Sequence, residues 1–583
     1  MLLSDYVSKF VSSHGVSHVF GVTGGYAMFL NNSFGINDML KNIFSHNEQG
    51  AGYTAVGYTK SSTKPCVVST TAGVAATNTI SSVLVAWQES LPILYISGQV
   101  NKGETIKANS SLRHYSGQDC NICEIVKSIT KYSYEVHNSS DIKYHMERAM
   151  YELTNGRPGP CFLSIPIDVQ NSQIDPSELC GFTPEKNTKG DHNINEVVRM
   201  IKESKRPLIL TGNGVKMSGG VELLNKLINN THIPVVASYN GIDTVSSTSP
   251  MYIGRCGING DRSGNFAIQN CDLLITLGCR MALCLVGYNR ETFSRESKKI
   301  MVDVDQSELS KDDIKIDMKI CDDVKNFLTQ LTYHELPMCD TLWQETTFRW
   351  KTKWFNDIPP DVEDKSPYAF YREFMKVVPD STCLVSSSGA IHTPLVHSFN
   401  DYGKNIKFIM NSATGDMGSE VPSALGIHFT GLYDNIVSVV GDGSFMFNIQ
   451  ELQTISHHKT NIKIVIMNNG GYESIRVSQK NYFGNLFGTD ASNGLSFPSF
   501  DKVAEVFNVG YTLFDGNFKK LSEDLNTPGC KIIEVICTSQ DRHPKLSSKR
   551  DEETGQFVSR PLEDMFPFID REEFKGEMIV NII

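Results

Sequence analysis

No apolar run in this chain reaches the roughly 18 residues that a membrane-spanning helix requires, so no span is expected. Sustained runs of lysine and arginine are absent too. With a net charge of −11, that argues against nucleic acid or an anionic membrane as a partner. The first residues, MLLSDYVSKF, lack the basic start and long apolar core of a secretory signal. No repeat or low-complexity tract stands out. The one close cysteine pair, Cys120 and Cys123, has no second pair and no nearby histidines, which disfavours zinc or dithiol chemistry. Buried thiols in a reducing cytoplasm are expected instead.

At 583 residues the chain is too long for one core, and two to four domains are expected. A composition of 40% hydrophobic and 20% charged residues places it among globular proteins. Residues 1–178 alternate strand-like and helix-like segments. Apolar runs at Val19–Val22, Cys66–Ser69, Ile93–Ser97 and Cys161–Ile165 each meet a polar or glycine-containing turn. Between a strand-like run and a glycine-rich helix start lies Glu48. Alone, it reads as a helix-terminal acid facing the dipole.

A polar linker precedes a second α/β block, 190–335. Its strands are read at Arg206–Thr211, Asp272–Leu277 and Ile300–Val304. The turn GNGVKM has Met217 where a third glycine would complete a dinucleotide fingerprint, which disfavours a nicotinamide cofactor. Residues 325–365 read as helical linker, with Trp343, Trp350 and Trp354 clamping between domains. A third block, 365–545, begins with a strand at Cys383–Val385 running into Ser386-Ser-Ser-Gly389, a small-residue turn suited to phosphate.

The most informative stretch lies in this block. The run Ile436–Val440 stops at Gly441-Asp442-Gly443, and a helical pattern follows through Ile449, Leu452 and Ile455. A second run, Ile462–Met467, ends at Asn468-Asn469-Gly470. Two apolar runs around one helix predict a βαβ unit with parallel strands, whose ligands bind beyond the carboxyl ends of the strands. Both polar clusters fall there. Asp442 offers a carboxylate and Asn469 an amide oxygen, a weakly charged hard-oxygen set suited to Mg²⁺ already carrying a phosphate. Amides at the helix start, near Ser444, suit the phosphate oxygens.

GDG followed about 27 residues later by NN resembles the thiamine diphosphate signature. The resemblance implies that Asp442, Asn469 and the Gly471 carbonyl bind the metal that bridges the diphosphate. It extends along the chain. The order VFGVTGGYAMFL, NEQGAGYTAVGY, TAGVAATN, LPILYISGQV and GRPGPCFLSIPIDV is similar to the pyrimidine-binding domain of acetolactate synthase-like enzymes. That places Glu48 where the family has its activating glutamate, which hydrogen-bonds the aminopyrimidine ring and favours its imino tautomer. Gln99, Gln118 and Lys131 match positions facing the reacting substrate. Implied cofactor contacts are Gly24, Gly389, Ala390, Gly415, Met417, Gly441, Gly443, Ser444 and Tyr472. Among them Met417 is the apolar wedge that bends the cofactor, and the Gly415 carbonyl meets its 4′-amino group.

The chain also departs from the family. Val74-Ala75 stands where many relatives have Pro-Gly, and Gln479 is followed by Lys480 where the biosynthetic enzymes carry Gln-Trp. In some members the central domain holds FAD in a structural role, in others nothing; Arg280, Asp303 and Asp305 are the candidate flavin contacts. The tail, 546–583, contains PLEDMFP, which looks like that of acetolactate synthase-like proteins of sugar and surface-polysaccharide pathways. It is a candidate lid, with a charged mobile loop at Lys549-Arg-Asp-Glu-Glu-Thr.

The expected architecture is α/β: three domains of open, mainly parallel sheets flanked by helices, the thiamine diphosphate-binding fold. The expected function is a cytoplasmic carboligase of acetolactate synthase type, using thiamine diphosphate and Mg²⁺. It would decarboxylate a 2-oxo acid such as pyruvate and transfer the acyl anion equivalent to a second carbonyl. The resemblance implies a homodimer or homotetramer in which Glu48 of one subunit meets the Asp442 loop of another. Acyl transfer to a keto sugar nucleotide and simple decarboxylation are the alternatives within catalysis; a non-catalytic cofactor-binding regulator is the alternative outside it.

Overall fold

The computed structural model describes residues 1–106, 111–184, 193–358, 365–538, 545–550 and 556–583. Parts of both expected linkers and most of the expected charged loop of the tail lie outside the described residues. No helix among the described residues is long and apolar enough to cross a membrane.

Each of three domains is built on one six-stranded sheet, parallel throughout. The N-terminal strands are β1 (His18–Gly21), β2 (Lys41–Phe44), β3 (Cys66–Thr70), β4 (Ile93–Gln99), β5 (Tyr132–Glu135) and β6 (Cys161–Pro166), in spatial order β2-β1-β3-β4-β6-β5. The central domain holds β7 (Pro207–Thr211), β8 (Val235–Ala237), β9 (Tyr252–Arg255), β10 (Leu273–Leu277), β11 (Lys298–Asp303) and β12 (Met318–Cys321), ordered β12-β11-β10-β7-β8-β9. In the third, β13 (Thr382–Ser386), β14 (Ile406–Met410), β15 (Asn435–Gly441), β16 (Ile462–Asn468), β17 (Gly510–Leu513) and β18 (Lys531–Ile536) run β14-β13-β15-β16-β18-β17. Parallel strands covered by helices on both faces are buried along their whole length. β3, β4, β6, β7, β10 and β13 accordingly carry no exposed position.

The domains are joined by tight and partly charged contacts. The helix Glu48–Ser62 crosses the helix Glu420–Thr430 so closely that a Cβ on Gly426 would lie 1.9 Å from the Thr54 carbonyl oxygen, and one on Gly57 2.1 Å from that of Ser423. At the opposite end of this crossing, Lys60 pairs with Glu89 at 3.0 Å, both side chains buried. Lys60 also donates to the Asn411 side chain (2.9 Å), while Glu89 accepts from Asn240 (3.2 Å) and from the Ala413 amide (2.8 Å). One ion pair thus touches all three domains.

Arg255, at the end of β9, is fully buried. It grips Asp261 with two bonds of 2.7 Å and donates to the carbonyls of Val396, His397 and Phe399, around the C-terminal end of the helix His392–Ser398. The three tryptophans do not clamp the central domain to the third one. Trp343 donates to Pro207 O (2.9 Å), Trp350 to Glu577 of the tail (2.7 Å), and Trp354 stacks on Phe266. They fasten the linker helix Thr341–Trp354 and the tail to the central domain.

The tail also packs on the central domain. Leu562, Met565, Phe574 and Val580 are buried, Arg262 donates to Met565 O (3.0 Å), and Glu563 pairs with Arg295 at 2.8 Å. From Leu562 onward it packs as a layer on the central domain. Before that lies a short antiparallel hairpin, Ser548–Arg550 with Phe557–Ser559.

Candidate active site

The site is assembled from the carboxyl ends of neighbouring strands. β15 ends at Gly441 and β16 at Asn468, and their register sets Gly441 beside Met467, so Asp442 and Asn469 emerge side by side. Asp442 is buried, and its oxygens accept from the amides of Gly443 (2.7 Å), Asn469 (3.1 Å) and Gly471 (3.0 Å). Burial raises its carboxyl to about 6 against the opposing pull of these amides.

Asn469 presents its side-chain oxygen 3.2 Å from the Arg476 guanidinium, which also pairs with Glu473 at 2.9 Å. An amide oxygen has a second lone pair, so this bond leaves Asn469 able to ligate. Gly471 lies against the Thr489 carbonyl, 2.0 Å from where a Cβ would sit, and Tyr472 places its ring 2.1 Å from the Cβ position of Gly443. Here glycines are required by close approach.

Two further turns border the same space. After β13 come Ser387, Ser388 and Gly389, with Ala390 next; after β14 comes the loop 411–418, holding Gly415 and Met417. Gly389 (φ +91°) and Gly415 (φ +58°) adopt left-handed backbone, and nothing lies within 4 Å of a Cβ built on either. For Gly441 the nearest such atom is Ile391 Cγ1, at 3.9 Å. At these turns, Ser388 Oγ and His392 Nδ1 are buried with no hydrogen-bond partner among the described residues.

Ser444, expected to meet the phosphates, has its hydroxyl fully engaged. It accepts from the Gly418 amide (2.7 Å) and donates to Glu420 (2.8 Å to Oε2). Glu420 carries no signal in the sequence beyond its place at a helix start.

In the N-terminal domain, Asn47 caps the helix that Glu48 begins, its side chain accepting from the Gln49 amide. Glu48 Oε2 accepts from Asn78 at 2.9 Å. Asn78 follows a short helix, Val74–Thr77, so Val74-Ala75 forms a helical turn with Val74 exposed. Gln118, exposed and with φ +67°, sits beside that turn: its carbonyl oxygen is 2.9 Å from the Cβ position of Gly73. Glu48 and Gln118 therefore share one edge. Gly24 lies on the same side of the sheet, after β1, and its bareness admits the Thr71 side chain.

Of the other two expected substrate-facing residues, Gln99 reaches this edge but turns its side chain inward, and Lys131 lies at the opposite end of the sheet. Gln99 is buried at the end of β4 and bonds Cys120 O (2.8 Å), Glu135 (3.1 Å) and the Val100 amide (3.0 Å), which satisfies its amide internally. Lys131 precedes β5 and donates to Asn155 O at 2.6 Å. Its backbone is level with Pro160, whereas Gln99 is level with Pro166. Six residues of extended strand, roughly 20 Å, separate them.

At the junction of the three domains lies a cavity of about 390 Å³, bordered by Arg157, Gly214, Arg280, Asp303, Asp323 and Ser412 among others. Arg280 and Asp303 reach it, as expected. Asp305 does not: it caps a helix through the Ser307 amide (2.8 Å) and pairs with Arg157 at 3.0 Å.

The donor set fits a diphosphate bridged by a hard cation. No cluster of three or more His, Cys, Asp or Glu that could hold a metal occurs among the described residues, and oxygen donors of low total charge fit Mg²⁺ rather than a softer ion. Comparison with known proteins bears on the family. Residues 1–125 match the family described as thiamine pyrophosphate enzyme, N-terminal TPP binding domain; 194–331 match its central domain, and 391–535 its C-terminal TPP binding domain. The acetolactate synthase large subunit of Porphyra purpurea is 30% identical over 549 residues, 91% of this chain and 90% of the relative. That of Lactococcus lactis is 28% identical over 532 residues, covering 90% and 89%. The chloroplastic acetolactate synthase of Arabidopsis thaliana is 27% identical over 565 residues, covering 92% and 82%.

Proposed function

Since the chain belongs to the thiamine pyrophosphate enzyme family, among relatives of the acetolactate synthase large subunits, we propose that it is a thiamine diphosphate-dependent carboligase. Its substrate is a 2-oxo acid such as pyruvate, and a second carbonyl compound is the acceptor. The observation that carries this reading is the pairing of Asp442 and Asn469 at adjacent strand ends, with the turns of Gly389 and Gly415 leaving open space at their Cβ positions.

When bound, thiamine diphosphate supplies the electron sink for decarboxylation and acyl transfer. Asp442, Asn469 and the Gly471 carbonyl hold Mg²⁺; the backbone at Gly441–Ser444 and the turn at Gly389 receive the phosphates. Met417 offers the apolar surface beneath the rings. Glu48 holds or releases a proton at Oε1, because Asn78 donates to Oε2 and keeps that oxygen an acceptor. Gln118, on the same edge, faces the substrate.

In one chain Glu48 bonds within its own domain, and the Asp442 loop does likewise. A homodimer or homotetramer that sets Glu48 of one copy against the Asp442 loop of another completes the site. The three-domain cavity, with Arg280 and Asp303 at its wall, is the place for FAD in a structural role. The many buried free thiols suit a reducing cytoplasm.

The test is turnover of pyruvate with thiamine diphosphate, Mg²⁺ and a panel of carbonyl acceptors, products being read by mass spectrometry. Expected are carbon dioxide and a coupled acyloin. Glu48→Gln should keep cofactor binding and lose most turnover. Full activity in that variant, or no consumption of pyruvate by the wild type, would overturn the reading.

A further inference from the structure

Three turns border the pocket assigned to the cofactor: 386–389 after β13, 411–418 after β14 and 441–444 after β15. Glu420, the first residue of the helix that follows the second turn, is linked to all of them. Its two carboxylate oxygens lie 3.0 and 2.8 Å from Ser444 Oγ, in the third turn. Ser444 Oγ in turn accepts from the Gly418 amide at 2.7 Å, which fastens the second turn. The backbone of Ser388, in the first, also acts on the Glu420 carboxyl and favours its charged form, as does the backbone of Glu420 itself.

This carboxyl is fully buried. The groups acting on it are hydroxyl, amides and Asp416, a like charge; burial raises it to about 7. A buried acid without a cationic partner is costly compared with an apolar residue of similar size. Its hydrogen bonds reach from one turn to the next, so what it adds is their mutual spacing. Because Ser444 Oγ donates to Glu420, its proton is not free for a phosphate. Among the described residues, the first turn leaves two buried hydroxyls without a partner, Ser386 Oγ and Ser388 Oγ.

We propose that Glu420 is a positioning residue: without touching the diphosphate, it fixes the three turns at the separation that the diphosphate needs. The proposal rests on the reading of this pocket as the thiamine diphosphate site.

The test compares Glu420→Ala, Glu420→Gln and Asp442→Ala in the full chain. Readouts are the dissociation constant for thiamine diphosphate at saturating Mg²⁺, by tryptophan fluorescence and calorimetry, and the unfolding midpoint of the cofactor-free protein. Glu420→Ala should weaken binding about tenfold, the loss of roughly one charge-assisted hydrogen bond. Its kcat at saturating cofactor should stay within about threefold of wild type, so that the effect lies in cofactor affinity. Glu420→Gln keeps an acceptor oxygen and should bind within about threefold of wild type.

Unchanged binding by Glu420→Ala, with cofactor lost in Asp442→Ala, overturns this inference and leaves the site standing. Unchanged binding in Asp442→Ala as well overturns both. A lower midpoint in Glu420→Ala with wild-type affinity marks a purely structural residue and also overturns the proposal. Should Glu420→Ala not fold, Glu420→Asp carries the test: the side chain is one methylene shorter, it must bind several-fold more weakly, and wild-type affinity there refutes the role.

Discussion

Arg255→Met tests whether the central and third domains are held together by one buried ionic hub. The substitution keeps an unbranched apolar stem and removes the guanidinium donors. Asp261, fully buried, then keeps Lys545 at 3.3 Å and the backbone amide of residue 255 at 2.9 Å, and three carbonyls around the end of the helix His392–Ser398 lose a donor. Breaking a buried pair from one side costs about 3–5 kcal/mol. Lys545 compensates in part, which puts the expectation near the lower bound, about 3 kcal/mol.

Burial alone would raise the Asp261 carboxyl, but Arg255 and Lys545 outweigh it and hold it well below the usual carboxylate range. A depressed acid contributes its stability above its unfolded value and loses it as pH falls toward the folded one. The penalty should therefore be constant from about pH 5 upward and shrink only in strong acid. Denaturant unfolding followed by fluorescence of Trp343, Trp350 and Trp354 reports on the central domain; a molecule of three domains calls for that local probe rather than a global one. In Arg255→Met, Asp261→Leu should cost far less than it does alone, with a coupling of at least about 1.5 kcal/mol. A loss under about 1 kcal/mol, or additive single variants, would refute the reasoning.

Other outcomes follow from the same geometry. Gly426→Ala puts a methyl group 1.9 Å from the Thr54 carbonyl oxygen; because backbone cannot yield as a side chain does, it should destabilise by about 1–3 kcal/mol or more, and an unchanged melting temperature would contradict the crossing. Asp442, raised to about 6, must be ionised to bind Mg²⁺. Calorimetry from pH 7.5 to 5 should show affinity falling toward about tenfold per unit below 6, and a flat profile would count against the site. The metal-free fold behaves oppositely: a raised acid makes the stability contribution of this residue fall as pH climbs from 3.8 to about 6.

Much of the fold was legible because central parallel strands are apolar on both faces. The runs at Cys66, Ile93, Cys161 and Ile462 begin where the structure begins its strands. β5 and β17 alternate with polar and half-exposed positions and gave no such signal. At the site, Asp442 and Asn469 could be read because each closes an apolar run. Gln99 also closes a run, yet its long amide folds back into the sheet, and residue type alone does not distinguish the two outcomes. Lys131 precedes its strand, which in a parallel sheet is the wrong end for a ligand; that clue was present in the sequence. The spacing in PLEDMFP, with Leu562 and Met565 both buried, belongs to packing. Asn78 and Glu420 act through contacts remote in sequence, and no local pattern marks them.

The Lys60–Glu89 pair bears on how such chains can be recombined. Its neighbours Asn240, Asn411 and Ala413 come from the other two domains, so a middle segment borrowed from a relative brings only a fraction of the partners. A hybrid lacking the matching set would leave an acid or an ammonium group dry and unanswered at the seam. Modules that look separable along the sequence are therefore inherited together at this one point.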